Sequence, residues 1–256
     1  MENADFADHF SGHARDYARY RPTYPPELFE YLAGCCAAHD CAWDCATGNG
    51  QAARQLAEHF ARVVATDASH QQIDAAEPHP RITYAVAPAR QSPLDNASAD
   101  LVTVAQALHW IEPEPFYAEV RRVLKPEGVF AAWTYGLFHV GPGDPAADAV
   151  DPLIERFYRE RVGPYWPPER RHIEANYQSL PFPFEEIDTP KFKIEMTWTL
   201  DEVLGYLRTW SATKRYRDEH GRDPTQMLDW AAAWGDPDIE RRLQWPLHLR
   251  AGRVSG

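Results

Sequence analysis

Short apolar segments alternate with helical patterns over residues 40–134. Five segments have the length and apolar character of buried strands, at residues 41–45, 62–67, 82–86, 100–105 and 129–133. Helices are predicted between them, at residues 51–60, 70–76 and 113–124. This regular alternation of strand and helix predicts a doubly wound, mostly parallel α/β sheet.

The alternation stops at both ends of this core. A polar and aromatic arm precedes a helix that begins at Pro25 or Pro26. After the core come strand-like pieces at residues 182–187 and 192–198, a helical insertion, and a last strand at 245–250. We expect a single domain over residues 1–256. Its parts are the arm and first helix (1–39), a ligand-binding core (40–134), a cap over the ligand edge of the sheet (135–240), and the last strand and tail (241–256).

A glycine-rich turn follows the first strand, in the sequence Asp44-Cys-Ala-Thr-Gly-Asn-Gly50. Gly48 and Gly50 can take a positive φ, which lets a ligand approach the backbone and the first amides of the next helix. Asp67 ends the second strand, 23 positions after Asp44, where a carboxylate can accept hydrogen bonds from ribose hydroxyls. Asp67 could instead cap the following helix, a role for which Ser69 competes. The turn and Asp67 together favour a nucleotide-like ligand.

Composition narrows the class of partner. The 256-residue chain has a net charge of −12, from 26 basic and 38 acidic residues, and no cluster of five or more basic residues. No nucleic acid or membrane partner is therefore expected, and a small molecule is favoured. The absence of 18 consecutive apolar residues and of a signal-peptide pattern predicts a cytoplasmic protein. Four cysteines without metal-ligand spacing predict free thiols and no metal site. The oligomeric state stays open.

Two cofactor classes fit a glycine turn with a ribose carboxylate. Residues 48–53 match the pattern G-x-G-x-x-A, which is typical of NAD(P)-dependent oxidoreductases. A dinucleotide turn follows its strand directly, however, whereas Asp44 near the strand end lies four residues before Gly48. No second, nicotinamide-side half is evident either.

The same turn resembles motif I of the class I S-adenosylmethionine-dependent methyltransferases, with Ala46 in place of the usual first glycine. Three further segments resemble motifs of this family in the same order, at residues 63–67, 100–110 and 123–130. Residues 17–25, 106–110 and 207–211 are similar, more narrowly, to the trans-aconitate methyltransferases. The resemblance implies a seven-stranded, Rossmann-like sheet and S-adenosylmethionine as the cofactor.

The resemblance also implies which residues contact this cofactor. The turn would hold the methionine part, the acid after the second strand the ribose, and the loops after the third and fourth strands the adenine edge and the sulfonium. The implied residues are Tyr17, Arg21, Asp44, Ala46, Thr47, Gly48, Gly50, Asp67, Ala68, Ala89, Arg90, Gln106 and Ala107. We expect a negative φ at Ala46, because a Cβ disfavours the left-handed region.

Methyl transfer to a small molecule, through a carboxylate or a hydroxyl, is the activity that the resemblance implies. A carboxylate needs no general base, whereas an alcohol or phenol does. His109 is the candidate catalytic base, because it follows the fourth strand and could titrate near pH 7; it could instead position its loop. Candidate acceptor-binding residues are Trp110, Trp133, Tyr135 and Trp210, of which Trp133 and Trp210 fit a core position equally well. A protein that binds S-adenosylmethionine without transferring its methyl group is a further alternative.

Overall fold

The structure is a computed structural model, and it describes residues 20–254. Its strands are β1 Cys41–Cys45, β2 Arg62–Asp67, β3 Ile82–Val86, β4 Ala99–Ala105, β5 Leu124–Tyr135, β6 His139–Val140, β7 Glu185–Ile187, β8 Phe192–Trp198 and β9 Arg241–Arg253. Its α-helices are α1 Pro26–Gly34, α2 Gln51–Leu56, α3 His70–Asp74, α4 Pro113–Val123, α5 Ala147–Arg156, α6 Arg170–Glu174, α7 Leu200–Arg208, α8 Ser211–His220 and α9 Trp230–Trp234. Short 3₁₀ turns lie at Leu108–Trp110, Gly163–Tyr165 and Pro224–Met227, and a π-helical turn, Phe157–Arg161, continues α5.

The predicted doubly wound sheet is confirmed. Strands β3, β2, β1, β4 and β5 are parallel in that order, and β9 joins the edge antiparallel to β5. The chain order reverses between β1 and β4, so the crevice beyond the carboxyl ends of these two strands is where a ligand is expected.

The described sheet has nine strands, whereas seven were expected. The difference lies at its antiparallel side, because β9 is 13 residues long and pairs with several short strands. One edge of β9 pairs with β5 and then β6, and the other edge pairs with β8 and then β7. The nine strands therefore occupy seven positions across the sheet.

The parallel strands are buried on both faces, as their apolar sequences require. All five residues of β1 are buried, and the Trp43 side chain donates a hydrogen bond to Thr66 of β2 over 2.8 Å. Alternate residues face two hydrophobic clusters: Leu101 belongs to the cluster that contains α1 and α2, and Val102 to the cluster that contains α4. The first cluster continues into residues 138–234, so the cap segment packs on the same core as the sheet.

Strand β5 begins at Leu124, five residues before the predicted start at residue 129. Leu124 pairs with Ala99 and Val129 with Leu101, so the residues between them bulge from the ladder, with a φ of +62° at Glu127. Lys125 is held at the bulge by ion pairs of 2.7 Å with Asp100 and 2.8 Å with Asp40. Pairing with β9 then extends β5 to Tyr135, beyond the predicted end at residue 133.

Two further features bear on ligand classes. Within residues 20–254, no helix combines the length and apolar character needed to cross a bilayer. Over the same range, no three His, Cys, Asp or Glu side chains are grouped so that they could hold a metal ion.

Candidate functional site

A cavity lies beyond the carboxyl ends of β1 and β4, where the sheet topology predicts a ligand site. It brings together nine of the predicted site residues: Arg21, Ala46, Thr47, Gly48, Asp67, Gln106, Ala107, Trp110 and Tyr135. Seven lining residues were not predicted: Tyr24, Asn49, Gln51, Ala52, Ser69, Gln72 and Ala105. Most of the seven are next to a predicted residue in the sequence. Extending each predicted segment by one residue would therefore have included them.

Three residues of the glycine turn adopt a left-handed conformation. Gly48 and Gly50 have φ values of +58° and +86°, and Ala46 has +56°. The expected negative φ at Ala46 is therefore wrong. The Thr47 amide donates to the Thr66 carbonyl over 2.9 Å, so the turn is tied to the end of β2 and the Ala46 backbone must accommodate that link.

The Asp44 side chain holds the glycine turn through hydrogen bonds and does not line the cavity. Its side chain is fully buried and accepts hydrogen bonds from the hydroxyls of Thr47, over 2.5 Å, and Thr103, over 2.8 Å. Burial raises the pKa of Asp44 to about 6, against the lowering effect of these two hydroxyls. A direct cofactor contact, as the resemblance implied, is therefore not what this geometry offers.

Asp67 lies at the rim of the cavity, at the end of β2. Its two carboxylate oxygens accept hydrogen bonds from the backbone amides of Gly48 and Ser69, each over 2.9 Å. Ser69 caps α3 by accepting a hydrogen bond from the Gln72 amide, which confirms Ser69 as the N-cap of this helix. The carboxylate is thus oriented by the turn in the lining of the cavity.

The open side of Gly50 faces the protein interior and not a ligand. A Cβ at this position would lie 2.4 Å from the Tyr84 hydroxyl. Gly48 has only the Gln72 side-chain oxygen nearby, 3.6 Å from such a Cβ, and it lines the cavity. Gly50 has the expected positive φ, but Tyr84 fills its Cβ side, so the close approach of a ligand is possible at Gly48.

Gln106 connects the sheet edge to the cavity. It follows β4 with a φ of +58°, an unusual conformation for a residue with a Cβ, and its amide donates to the Trp133 carbonyl over 2.9 Å. The hydroxyl of Thr134 donates to its side-chain oxygen over 2.9 Å. The side-chain nitrogen of Gln106 is buried and has no hydrogen-bond partner among residues 20–254, which makes it available to a bound molecule.

A second cavity adjoins the first and lies under the cap segment. The two cavities share Arg21, Gln106, Trp110 and Tyr135. The remaining walls of the second cavity are His109, Trp166, Pro167, Arg170, Ile173, Tyr206, Trp210 and Ser211. Arg21 bridges its walls, because it donates to the Tyr135 hydroxyl over 2.9 Å and lies 5.9 Å from the Tyr206 ring centre.

His109 lies in the wall of the second cavity, but it does not titrate near pH 7 as expected. Burial lowers the pKa of His109 to about 3, and the Arg170 guanidinium and, when it is protonated, His172 act in the same direction. Its Nδ1 lies 3.0 Å from the hydroxyl of Tyr177. The ring is therefore neutral at physiological pH, which weakens the case for a base that must become charged.

Several predicted residues lie away from both cavities. Trp133 is fully buried in the core, where it packs edge-on against Tyr24 and Phe29, so the proposed acceptor contact is wrong. Ala68, Ala89 and Arg90 follow β2 and β3 but line neither cavity. Tyr17 lies outside the described residues.

The cap residues of the second cavity were mostly missed. Trp166, Arg170 and Tyr206 come from separate segments, and no local pattern in the sequence connects them with residues 106–110. Trp210 was predicted and lies in this wall. Only the folding of the cap over the sheet brings these side chains together.

Comparisons with known proteins agree on one family. Residues 43–132 match the family profile of the methyltransferase domain. A Dictyostelium discoideum protein assigned to the methyltransferases is 33% identical over 208 residues, which span 80% of this chain and 78% of that protein. A solved structure described as a type II methyltransferase from Anaeromyxobacter dehalogenans is 46% identical, with a TM-score of 0.85, and the match covers 92% of this chain and 99% of that one.

Similarity of this extent decides between the two cofactor classes, and the dinucleotide pattern at residues 48–53 is incidental. The chain belongs to the class I S-adenosylmethionine-dependent methyltransferases, enzymes that use S-adenosylmethionine as the methyl donor.

Proposed function

We propose that this methyltransferase acts on a small-molecule acceptor, which it methylates on a carboxylate or hydroxyl oxygen. The observation that carries the proposal is the pair of adjoining cavities, which meet at Arg21, Gln106, Trp110 and Tyr135. A donor and an acceptor held in two compartments with a common wall react as one bound pair, which removes most of the entropic barrier to transfer.

The residues of the first cavity fit S-adenosylmethionine. Asp67 presents a carboxylate of the kind that binds ribose hydroxyls, and Gly48 permits close approach. The buried nitrogen of Gln106, which lacks a partner in the described chain, is a donor in the shared wall. We propose that the residues of the turn, Asp67, Gln106 and Arg21 hold the cofactor, with Asp44 as their support.

When bound, S-adenosylmethionine supplies a methyl group attached to a positively charged sulfur. A lone pair of the acceptor would form the new bond to this methyl group, and the electron pair of the broken bond would stay on the sulfur. The protein's part is to orient the acceptor and to exclude water. Tyr206 and Trp210 are both buried and close the second cavity from the cap side, and Arg21 ties the arm to this wall. We therefore propose residues 135–240 as the acceptor cap of a single domain.

The lining of the second cavity favours a small acidic acceptor. Among residues 20–254, its walls contain Arg21 and Arg170 and no Asp or Glu. Arg170 is held over the Trp166 ring, 4.4 Å from its centre, and donates to the Tyr158 hydroxyl over 2.8 Å. A fixed guanidinium beside aromatic rings suits a carboxylate attached to an apolar group. The narrower similarity to the trans-aconitate methyltransferases supports the same class.

The test is methyl transfer from methyl-tritiated S-adenosylmethionine to a panel of succinate, phenylacetate, phenol and phenethylamine. Tritium should pass to the carboxylates, and mild base should release it as methanol, because esters are hydrolysed and ethers and amines are not. Label that resists base would identify an ether or amine product and contradict the carboxylate. Transfer to none of the four small molecules, together with transfer to a protein or nucleic acid, would contradict the proposal as a whole.

A further inference from the structure

We propose that Tyr177 holds His109 as a neutral hydrogen-bond donor for the acceptor, so that His109 positions an acceptor that is already deprotonated and does not act as its base. In this arrangement the Tyr177 hydroxyl donates to Nδ1, and the single ring proton of His109 lies on Nε2. The inference rests on the proposed function, since it concerns the acceptor cavity described above.

Tyr177 is placed rigidly beneath the cavity wall. Its side chain is completely buried, and its hydroxyl lies 3.0 Å from Nδ1 of His109. Asn176 and Tyr177 have φ values of +54° and +62°, and the Tyr177 amide donates to the His172 carbonyl over 2.8 Å. Two consecutive residues with a Cβ in the left-handed region are uncommon and persist where the surrounding structure imposes them. The direction of the hydroxyl is therefore set by the backbone after α6.

The burial of the Tyr177 hydroxyl decides the direction of its hydrogen bond. Burial raises the pKa of Tyr177 well above its usual range, so the hydroxyl keeps its proton. A buried hydroxyl proton needs an acceptor, and among residues 20–254 the hydrogen-bond partner of this hydroxyl is Nδ1 of His109. The Tyr177 hydroxyl therefore donates to Nδ1.

The surroundings of His109 keep the ring neutral. Arg170 and His172 are the charged or titratable groups that face it from α6, and Tyr177 faces it from the turn beyond. A neutral imidazole with Nδ1 as an acceptor carries its proton on Nε2. In the described chain Nε2 makes no hydrogen bond, and the residue lines the second cavity, so this N–H is left for a bound acceptor.

A donor in this position selects the acceptor by its protonation state. A carboxylate can accept the Nε2 hydrogen bond and still attack with a lone pair, and no proton has to leave. An alcohol could accept the same hydrogen bond, but the ring would offer no lone pair to remove the hydroxyl proton. The wall of the cavity therefore favours the carboxylate over the hydroxyl among the two groups in the proposed function.

The first test reads the tautomer directly and requires no acceptor. ¹⁵N NMR of protein labelled at histidine nitrogens, with the His109 signals assigned from their loss in His109→Gln, should show the proton on Nε2 and a neutral ring from pH 7 to pH 5. A proton on Nδ1, or a ring that becomes charged between pH 7 and pH 5, would overturn the proposal. This readout stands apart from the proposed function, because it is unaffected if no molecule in the panel is methylated.

The second test compares two amide side chains of different length in place of His109. The side-chain nitrogen of His109→Gln can occupy the place of Nε2, whereas that of His109→Asn reaches only the place of Nδ1. With phenylacetate and succinate, we expect KM to rise by about tenfold or more in His109→Asn and clearly less in His109→Gln, since a hydrogen bond to a charged group is lost only in the former. Equal loss of kcat in both variants, with KM unchanged, would indicate a base and contradict the donor role.

Tyr177→Phe provides an independent variant. Without the hydroxyl, Nδ1 can take the ring proton, so the ¹⁵N spectrum should shift toward the other tautomer and KM for the carboxylate should rise. Calorimetry with S-adenosylhomocysteine shows whether the variant is folded, because the first cavity does not include Tyr177. A folded Tyr177→Phe protein with an unchanged tautomer would refute the role assigned to this residue.

Discussion

The two cavities are built in different ways. Polar groups of the first cavity come from a few short segments at the ends of β1, β2 and β4, and backbone amides hold them, as the Gly48 and Ser69 amides hold Asp67. Aromatic side chains from several distant segments form the second cavity, among them Trp110, Trp166 and Trp210. The proposed donor side thus depends on local backbone geometry, whereas the proposed acceptor side depends on how the cap packs. Variation in the cap can therefore change the acceptor while the cofactor turn stays the same.

Gly50→Ala is the strongest test of whether backbone geometry determines the donor side. The φ of +86° is unfavourable for alanine by about 1–2 kcal/mol, and contact of its Cβ with Tyr84 adds an overpacking penalty of about 1–3 kcal/mol. Urea unfolding should show a loss in the free energy of unfolding equal to the sum of these two penalties. Gly221→Ala is the matched control, because Gly221 has a φ of +67° but no atom within 4 Å of its Cβ position. Equal losses of stability in the two variants would exclude the clash with Tyr84.

Asp44 should give the free energy of unfolding a distinctive dependence on pH. Its pKa is about 6 in the folded protein and about 3.8 otherwise, so the folded state binds the additional proton between these values. Its contribution to the free energy of unfolding should therefore fall by about 2 kcal/mol as the pH rises from 4 to 6. The measurement is the stability of wild type minus that of Asp44→Asn across this range.

The exposed carboxylate of Asp218 in α8 supplies the control for that titration. The stability of Asp218→Asn is measured over the same pH interval and compared with that of Asp44→Asn. His109 contributes with the opposite sign, since its pKa is lowered to about 3 and its stability is lost as the pH falls through the range below 6.5. A wild-type minus Asp44→Asn difference that rises with pH would show that burial does not dominate at Asp44.

Asp67→Ala should weaken binding of S-adenosylhomocysteine by about 10- to 100-fold, because hydrogen bonds to a charged group contribute about 1.5–3 kcal/mol. Calorimetry measures the change, and Asp74→Ala, an exposed carboxylate at the end of α3, is the control. Asp67→Asn separates the ligand contact from the turn, since its side-chain oxygen can still accept one backbone amide. Wild-type affinity in Asp67→Ala would remove Asp67 from the proposed ribose site.

On the acceptor side, Arg170→Gln should raise KM for a carboxylate acceptor by about tenfold and leave S-adenosylhomocysteine affinity unchanged. The adjacent Arg171 is exposed and lines neither cavity, so Arg171→Gln is the control. Steady-state kinetics with phenylacetate and calorimetry with the cofactor product separate the two compartments. Loss of cofactor affinity in Arg170→Gln would show that the cavities are not independent.

The smallest expected effect is at Ala46. Ala46→Gly relieves a left-handed conformation by about 1–2 kcal/mol and increases the freedom of the unfolded chain by about 0.4–1 kcal/mol, so a net stabilisation of about 1 kcal/mol or less is expected. Ala97, with a φ of +48° in an exposed segment, should respond in the same way to glycine. Thermal unfolding of both variants provides the measurement. Destabilisation by Ala46→Gly alone would show that the Ala46 methyl group contributes packing that outweighs its conformational penalty.

The parallel core could be predicted because its signals are local. Strands β1, β2 and β3 have the predicted bounds, and Ser69 caps α3 as expected, because a buried strand must be apolar and a helix needs its first amides satisfied. Asp67, which ends β2, was found for the same reason, whereas Gln106, which follows β4, was found through the resemblance to the family. Positions near a strand end can be predicted from the sequence alone.

The sequence by itself therefore determined the doubly wound sheet, the family and the place of the donor site. Only the tertiary structure decided which side chains face that site. Trp133 went to the core because Tyr24 and Phe29 pack on it, and Gly50 faces Tyr84 because β3 lies beside the turn. His109 lost its expected titration because the cap buries it beside Arg170. Burial, charge and contact between distant segments arise from packing, and packing has no signature within a short stretch of residues.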